Sequence, residues 1–219
     1  MTVRQKEEAA RRRAPSQRSL ATQARILDAA EAVFSLKGYD GATIRDVAAA
    51  AGVQVSLIHH HGGGKEALFR KTVARRADDL SNARRTALDA AKADGPLTVE
   101  AIFRAFFAPL LTRAATDANW RAYSRLVAHV SADERWRGIA ADHFDPTAET
   151  FMAALHLALP GAARDRIAAG FVFAVSSMLA VVTANWRIEA LGGDRSALAE
   201  RLDHLAAFCA GGLEAGVKD

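Results

Sequence analysis

The chain has 219 residues, 50% of them hydrophobic and 25% charged, which is enough apolar material for one good-sized core or two small ones and excludes a disordered chain. Its single cysteine, Cys209, excludes an intrachain disulfide, and the first 20 residues are basic and polar with no apolar run for secretion, so a cytoplasmic protein is expected. The net charge of +4 is unevenly placed: residues 1–80 hold 14 Lys and Arg against 9 Asp and Glu, and residues 81–219 hold 15 against 16. A basic N-terminal third on a neutral remainder suits a polyanion-binding head on a separate body, and it equally suits a soluble tail.

Residues 1–18, with Arg11, Arg12, Arg13 and Arg18 and almost no large apolar side chains, read as a disordered basic arm. From Thr22 onward Ile26, Leu27, Ala30, Val33 and Phe34 mark one face of an amphipathic helix, which Gly38 ends. "ATIRDVAAAAGV" is a second helix, with Thr43 and Asp46 forming a capping box at its start and Gly52 at its end. A third short helix runs from Gln54 to about His61. Two short helices joined at a glycine turn form a helix-turn-helix, whose second member can enter a major groove.

Helical patterns continue without strand-like alternation: 65–92, 97–114 with Pro109 as an expected kink, 118–131, and a helix starting at Asp145 as cap and Pro146. Residues 167–186 carry no charge and are long enough to span a bilayer, but Ser176, Ser177, Thr183 and Asn185 lower their hydrophobicity and no other segment can span with them. A buried helix is expected there, and no membrane. The last helix is placed at about 196–213, with Leu198, Leu202, Leu205 and Phe208. The fold class expected is all-α, with about nine helices: a three-helix head over 19–64 containing the helix-turn-helix, and a larger helical body over 65–219.

The stretch "LIHHHGGGKEALF" raises metal and phosphate readings. Consecutive helix residues point about 100° apart, so His59, His60 and His61 cannot converge on one ion, and the remaining histidines are scattered singly. No metal and no cofactor are expected. A P-loop needs a glycine where His59 stands and a hydroxyl where Glu66 stands. Lys65 and the first amides of the next helix still favour a phosphate oxygen.

The stretch from Arg25 to Phe69, "RILDAAEAVFSLKGYDGATIRDVAAAAGVQVSLIHHHGGGKEALF", resembles the DNA-binding head of the TetR family of bacterial transcriptional regulators. "FFAPLL" and "FDP" resemble, more loosely, that family's ligand-binding and dimerisation body. The family usually carries an aromatic at the position of Gly62, so a loose end to the third helix is expected, loosened further by the glycine triplet.

Physical chemistry assigns the DNA face. Gln54, Val55 and Ser56 open the recognition helix nearest to base edges, whereas His59, His60, Lys65, Thr43 and Arg45 are placed for phosphates. His61 has a family counterpart that contacts backbone. Ile44, Val47, Ala48, Val53 and Ile58 are expected in the head core.

The resemblance further implies a homodimer through the last two helices, whose two heads read near-palindromic double-stranded operator DNA, and a small-molecule effector. Phe103, Phe106, Phe107, Leu110, Trp120, Tyr123, Val127, Phe144, Phe151, Phe173 and Met178 are the expected lining of a largely apolar pocket, with Tyr123, Arg104 or Asn185 as polar anchors. The expected function is a repressor released by its effector. An all-α enzyme and a membrane-associated helical protein are the alternatives; no spacing of nucleophile, base and orienter supports the first, and no catalytic residue is assigned.

Overall fold

The computed structural model describes residues 16–193 and 200–217. Most of the expected basic arm and Leu198 lie outside the described residues. Among the described residues the chain is all-α, with eleven helices and no strand.

Helix α1 (Gln17–Gly41) starts five residues before Thr22, because the Ser16 hydroxyl accepts from the Ser19 amide at 3.2 Å and caps it. Its backbone breaks at Gly38 (φ 66°), so Tyr39–Gly41 form a separate turn. Helix α2 (Ile44–Ala51) has the expected capping box: Thr43 Oγ1 accepts from the Asp46 amide at 3.1 Å, and Asp46 Oδ2 accepts from the Thr43 amide at 2.8 Å. Gly52, left-handed at φ 62°, turns the chain into α3 (Val55–Gly62). Val47, Ala48 and Ile58 are buried, and Ile44 and Val53 pack against them.

The body follows as α4 (Lys65–Ala93), α5 (Val99–Thr116), α6 (Ala118–Ser131), α7 (Arg137–His143), α8 (Asp145–Ala158), α9 (Arg164–Thr183), α10 (Asn185–Ala190) and α11 (Glu200–Gly216). Two short helices, α7 and α10, raise the count from the expected nine. Pro109 lies inside α5, which continues past it to Thr116. Helix α8 starts one residue earlier than expected: Phe144 is its cap residue, and Asp145 is the first helical residue with no side-chain capping bond. Helix α9 is long and apolar enough to cross a membrane by length and composition. One of its faces packs on α5, α6, α8 and α11.

Head and body share one continuous cluster of buried residues, because α1 packs along both α2 and α6. Phe34 of α1 meets Phe69 of α4 edge-on at 5.1 Å. Trp136, in a 3-10 turn (Glu134–Trp136) after α6, sits 4.7 Å from Tyr39 and 4.5 Å from Phe69. Beside it Arg135 bridges Asp40 of the head, at 2.7 Å, and Asp133. Both carboxyls are thereby held below their usual range, chiefly by hydrogen bonds from Arg135. Deeper in, Glu31 of α1, 1% exposed, pairs with Arg76 of α4 at 2.8 Å, and Asp28 pairs with Arg75 at 2.5 Å.

Candidate nucleic-acid interface and the core behind it

Helix α3 buries Ile58 and Gly62, one turn apart, and turns its other residues outward. Gln54, Val55, Ser56, His59 and His60 are exposed, with Leu57, and His61 is half-buried. Gln54 is the cap residue rather than the first helical residue and makes no side-chain capping bond, so its amide group is free to contact a ligand. Gln54, Leu57, His60 and His61 line a groove of about 780 Å³ shared with Ser16, Arg18, Ser19, Thr22 and Arg25 of α1. Arg18, expected in the disordered basic arm, stands instead on α1, and Arg25 is a basic residue of this face that the sequence reading did not assign. Early capping at Ser16 brings them there, and the Ser-x-x-Ser spacing was the available signal.

Not every candidate is equally free. Thr43 and Arg45 are exposed, but the Thr43 hydroxyl is committed to the capping box and also donates to Asp46 Oδ2 at 2.8 Å. Lys65, half-buried, lies over the Tyr39 ring at 4.5 Å and donates to the Asp40 carbonyl at 3.3 Å, which leaves two of its three ammonium protons for other acceptors.

The expectation of a loose end to α3 needs correction. A Cβ on Gly62 would stand 2.9 Å from Leu68 Cδ1 and 3.3 Å from Leu68 Cβ, so Leu68 of α4 fills the space an aromatic at this position would need. Gly63, at φ 82°, closes the helix by donating its amide to the His59 carbonyl at 3.1 Å, and Lys71 Nζ donates to the His61 carbonyl at 2.9 Å.

Asp46 holds this face in place. Hydrogen bonding from Lys37 at 2.9 Å, then from the Thr43 hydroxyl and amide, pulls its carboxyl down to about 2. A depressed carboxyl stabilises the fold above its unfolded value, near 4, and that contribution disappears as pH falls through about 2. Asp46→Asn is therefore expected to lower Tm by a few degrees at neutral pH, with the gap to wild type closing between about pH 4 and pH 2. Thermal melts followed by circular dichroism across that range check it; a gap that stays constant contradicts the role.

The expected pocket residues divide. Phe103, Phe107, Leu110, Tyr123, Phe151 and Met178 are buried with Phe106, Trp120 and Val127, and Phe144 is half-buried. They pack on one another: Phe103 and Phe107 stack at 5.5 Å, and Phe106 meets Phe151 edge-on at 5.0 Å. Phe173 does not belong with them. It is 69% exposed on the outer face of α9, because that helix is apolar all round and only one face turns inward.

The anchors also move. The Tyr123 hydroxyl is spent on the Val73 carbonyl at 3.0 Å, and burial raises its pKa. Arg104 pairs with Asp203 and Glu100 on the surface. Asn185, half-buried, donates to Glu189 at 3.3 Å, and its Oδ1 is buried without a hydrogen-bond partner. The buried cation of this core is instead Arg84 of α4, which burial lowers to about 9. It continues the buried stripe of Val73, Ala77, Leu80 and Leu88, and that register was the signal in the sequence.

A helix-turn-helix head with an exposed second helix, carried on a helical body, defines a DNA-binding regulator. Residues 26–72 match the family described as bacterial regulatory proteins, tetR family, and residues 104–212 match the family described as tetracyclin repressor-like, C-terminal domain. The chain belongs to the TetR family of transcriptional regulators and is not an enzyme. Over 49 residues it is 37% identical to the biofilm operon icaADBC HTH-type negative transcriptional regulator IcaR of Staphylococcus epidermidis, a match spanning 22% of this chain and 26% of that protein. The chain therefore aligns with only about a quarter of that curated relative's length. Similar solved structures include a TetR-like transcriptional regulator from Rhodococcus sp. RHA1, with a TM-score of 0.62, 19% identity and coverage of 89% of this chain and 97% of that one. The ketosteroid transcriptional regulator KstR2 of Mycobacterium tuberculosis aligns with a TM-score of 0.60 at 17% identity, covering 87% of this chain and 93% of its own. At such identities the likeness is one of fold.

Proposed function

We propose that this regulator is a cytoplasmic repressor that binds a near-palindromic operator as a homodimer and is released by a small, largely apolar effector. Residues 19–64 serve as the DNA-binding head and residues 65–219 as the effector-binding and dimerisation body. The observation that carries the DNA reading is the groove between α3 and the start of α1, where free Gln54 lies beside Arg18, Arg25, His60 and His61. Hydrogen-bonding groups on the recognition helix suit base edges, and the cations around them suit phosphates. Phe173 and Phe208, 69% and 68% exposed along the outer faces of α9 and α11, support pairing with a second copy. An aromatic core served by many helices supports an effector there, acting through its differential affinity for two arrangements of the heads.

Fluorescence anisotropy against DNA from around the protein's own gene, with scrambled DNA as control and salt varied, tests the reading. Specific binding near nanomolar Kd is expected; salt-sensitive binding without sequence preference overturns it. In the same assay Lys65→Ala should weaken binding to all sequences alike and reduce the salt slope by about 1. Gln54→Ala should instead relax the preference at one base position by about 1–3 kcal/mol. The opposite pattern would reassign both residues.

A further inference from the structure

Arg84 is the one arginine among the described residues that is buried, with 5% of its surface exposed. It leaves α4 for the junction with α5, α6 and α9. Its Nε donates to the Phe106 carbonyl at 3.0 Å, its Nη2 reaches Met178 Sδ at 3.8 Å, and its guanidinium carbon lies 3.7 Å from the centre of the Phe106 ring. No carboxylate of the described residues pairs with it, in contrast to Arg75, Arg76, Arg104, Arg113, Arg135 and Arg164.

An ion taken out of water without a counter-charge carries one of the largest penalties in a folded protein, and such charges are normally paired. Here two of five N–H groups are used, one of them on a thioether, which is a weak acceptor. The walls around the guanidinium are Phe106, Met178 and Tyr123, with Phe151 and Phe171 edge-on to Phe106 at 5.0 and 5.1 Å. The Tyr123 hydroxyl already donates elsewhere, so the core offers one cation and otherwise apolar surface. A planar guanidinium fork matches a carboxylate, whose single charge neutralises it; a dianion would leave net charge in the core. Methionine is the side chain best able to leave, since its unbranched chain repacks readily.

We propose that Arg84 anchors the effector, and that the effector is an organic monocarboxylate with an apolar chain or ring, its carboxylate taking the place of the Met178 sulfur on the guanidinium. This rests on the effector-controlled reading given above. The position suits control of DNA binding. Helix α4 carries Arg84 on the same rod as Lys71, which holds the His61 carbonyl at the end of the recognition helix.

The test compares decanoate, dodecanoate and 4-phenylbutyrate with the corresponding primary alcohols, by thermal shift and by operator release, on wild type, Arg84→Met and Arg84→Lys. The carboxylates are expected to raise the wild-type Tm by about 5 °C at saturation and the alcohols by less than half of that. Arg84→Met should weaken the carboxylate response at least about tenfold, Arg84→Lys should retain part of it, and free Arg84→Met should melt no lower than wild type, because an apolar side chain of similar size removes the unpaired charge. A merely structural arginine would make that variant melt several degrees lower. The proposal is overturned by that drop, by equal shifts from acids and alcohols, by a carboxylate response that survives Arg84→Met, or by no response in wild type. Operator bound and then released by an alcohol would remove the carboxylate inference and leave the regulator standing. Failure to bind any operator would remove the regulator reading, and the effector role with it.

Discussion

Phe173→Glu is expected to make the protein monomeric and to lower its operator affinity at least about 100-fold. Phe173 stands on α9 and Phe208 on α11, both exposed, and between them runs a groove of about 680 Å³ floored by Gly170, Ala174, Ser177, Gly211 and Gly212. Among the described residues lining the groove, Arg166 is the charged one, and it is turned to the Gly216 carbonyl at 2.9 Å. Small residues let a second copy approach closely, and the two rings supply the apolar area. In a twofold dimer each substitution occurs twice, so losing the ring forfeits roughly 3–6 kcal/mol, before the cost of a buried carboxylate is added. The unlinked heads then bind half-sites singly. Analytical ultracentrifugation and anisotropy on the same samples check both parts, with Phe173→Leu as a control that should stay dimeric. A Phe173→Glu variant that sediments as a dimer rules out this face as the interface.

The second large effect concerns Arg76. Burial raises the Glu31 carboxyl above its usual range, against the pull of Arg76, and Glu31 Oε1 has no hydrogen-bond partner. Arg76→Ala leaves that carboxylate unpaired and should destabilise the protein by about 3–5 kcal/mol, or roughly 6–15 °C in Tm. The sign with pH is specific. A folded-state pKa raised above the unfolded value near 4.3 disfavours the fold while the group is charged, so the deficit is full at pH 8 and shrinks as pH falls toward about 5. Glu31→Gln added to Arg76→Ala should recover much of the loss and flatten the pH dependence. Melts across pH decide it; a deficit that is the same at pH 5 and pH 8 shows that lost packing, not an unpaired charge, is responsible.

Short-range chemistry was the legible part of the sequence. The capping box at Thr43 and Asp46 and the left-handed Gly52 are written in residues three or fewer apart, and they place α2 and α3 correctly. Helix α10 is six residues with none buried, so no apolar period announces it, and α7 is barely two turns with only Ile139 inside. The uncharged part of α9, from Ile167 onward, hid the orientation of Phe173, because a helix apolar all round has no phase to read. Arg84 sat in a run of polar residues that reads as a solvated face, although its spacing from Leu80 and Leu88 matches the core stripe. Leu68, six positions from Gly62, occupies the gap that a comparison of motifs alone leaves empty.

The bridge of Tyr39, Trp136 and Phe69 has a consequence for how the chain folds and evolves. The inner face of the head is completed by rings that arrive about 30 and 100 residues later in the chain. The seat of the head is therefore built from residues far apart in the sequence. The recognition helix itself packs on α1, α2 and α4, so the bridge governs how the head is held on the body. Exchanging heads between relatives then requires Trp136 and Arg135 to travel with the helices they seat.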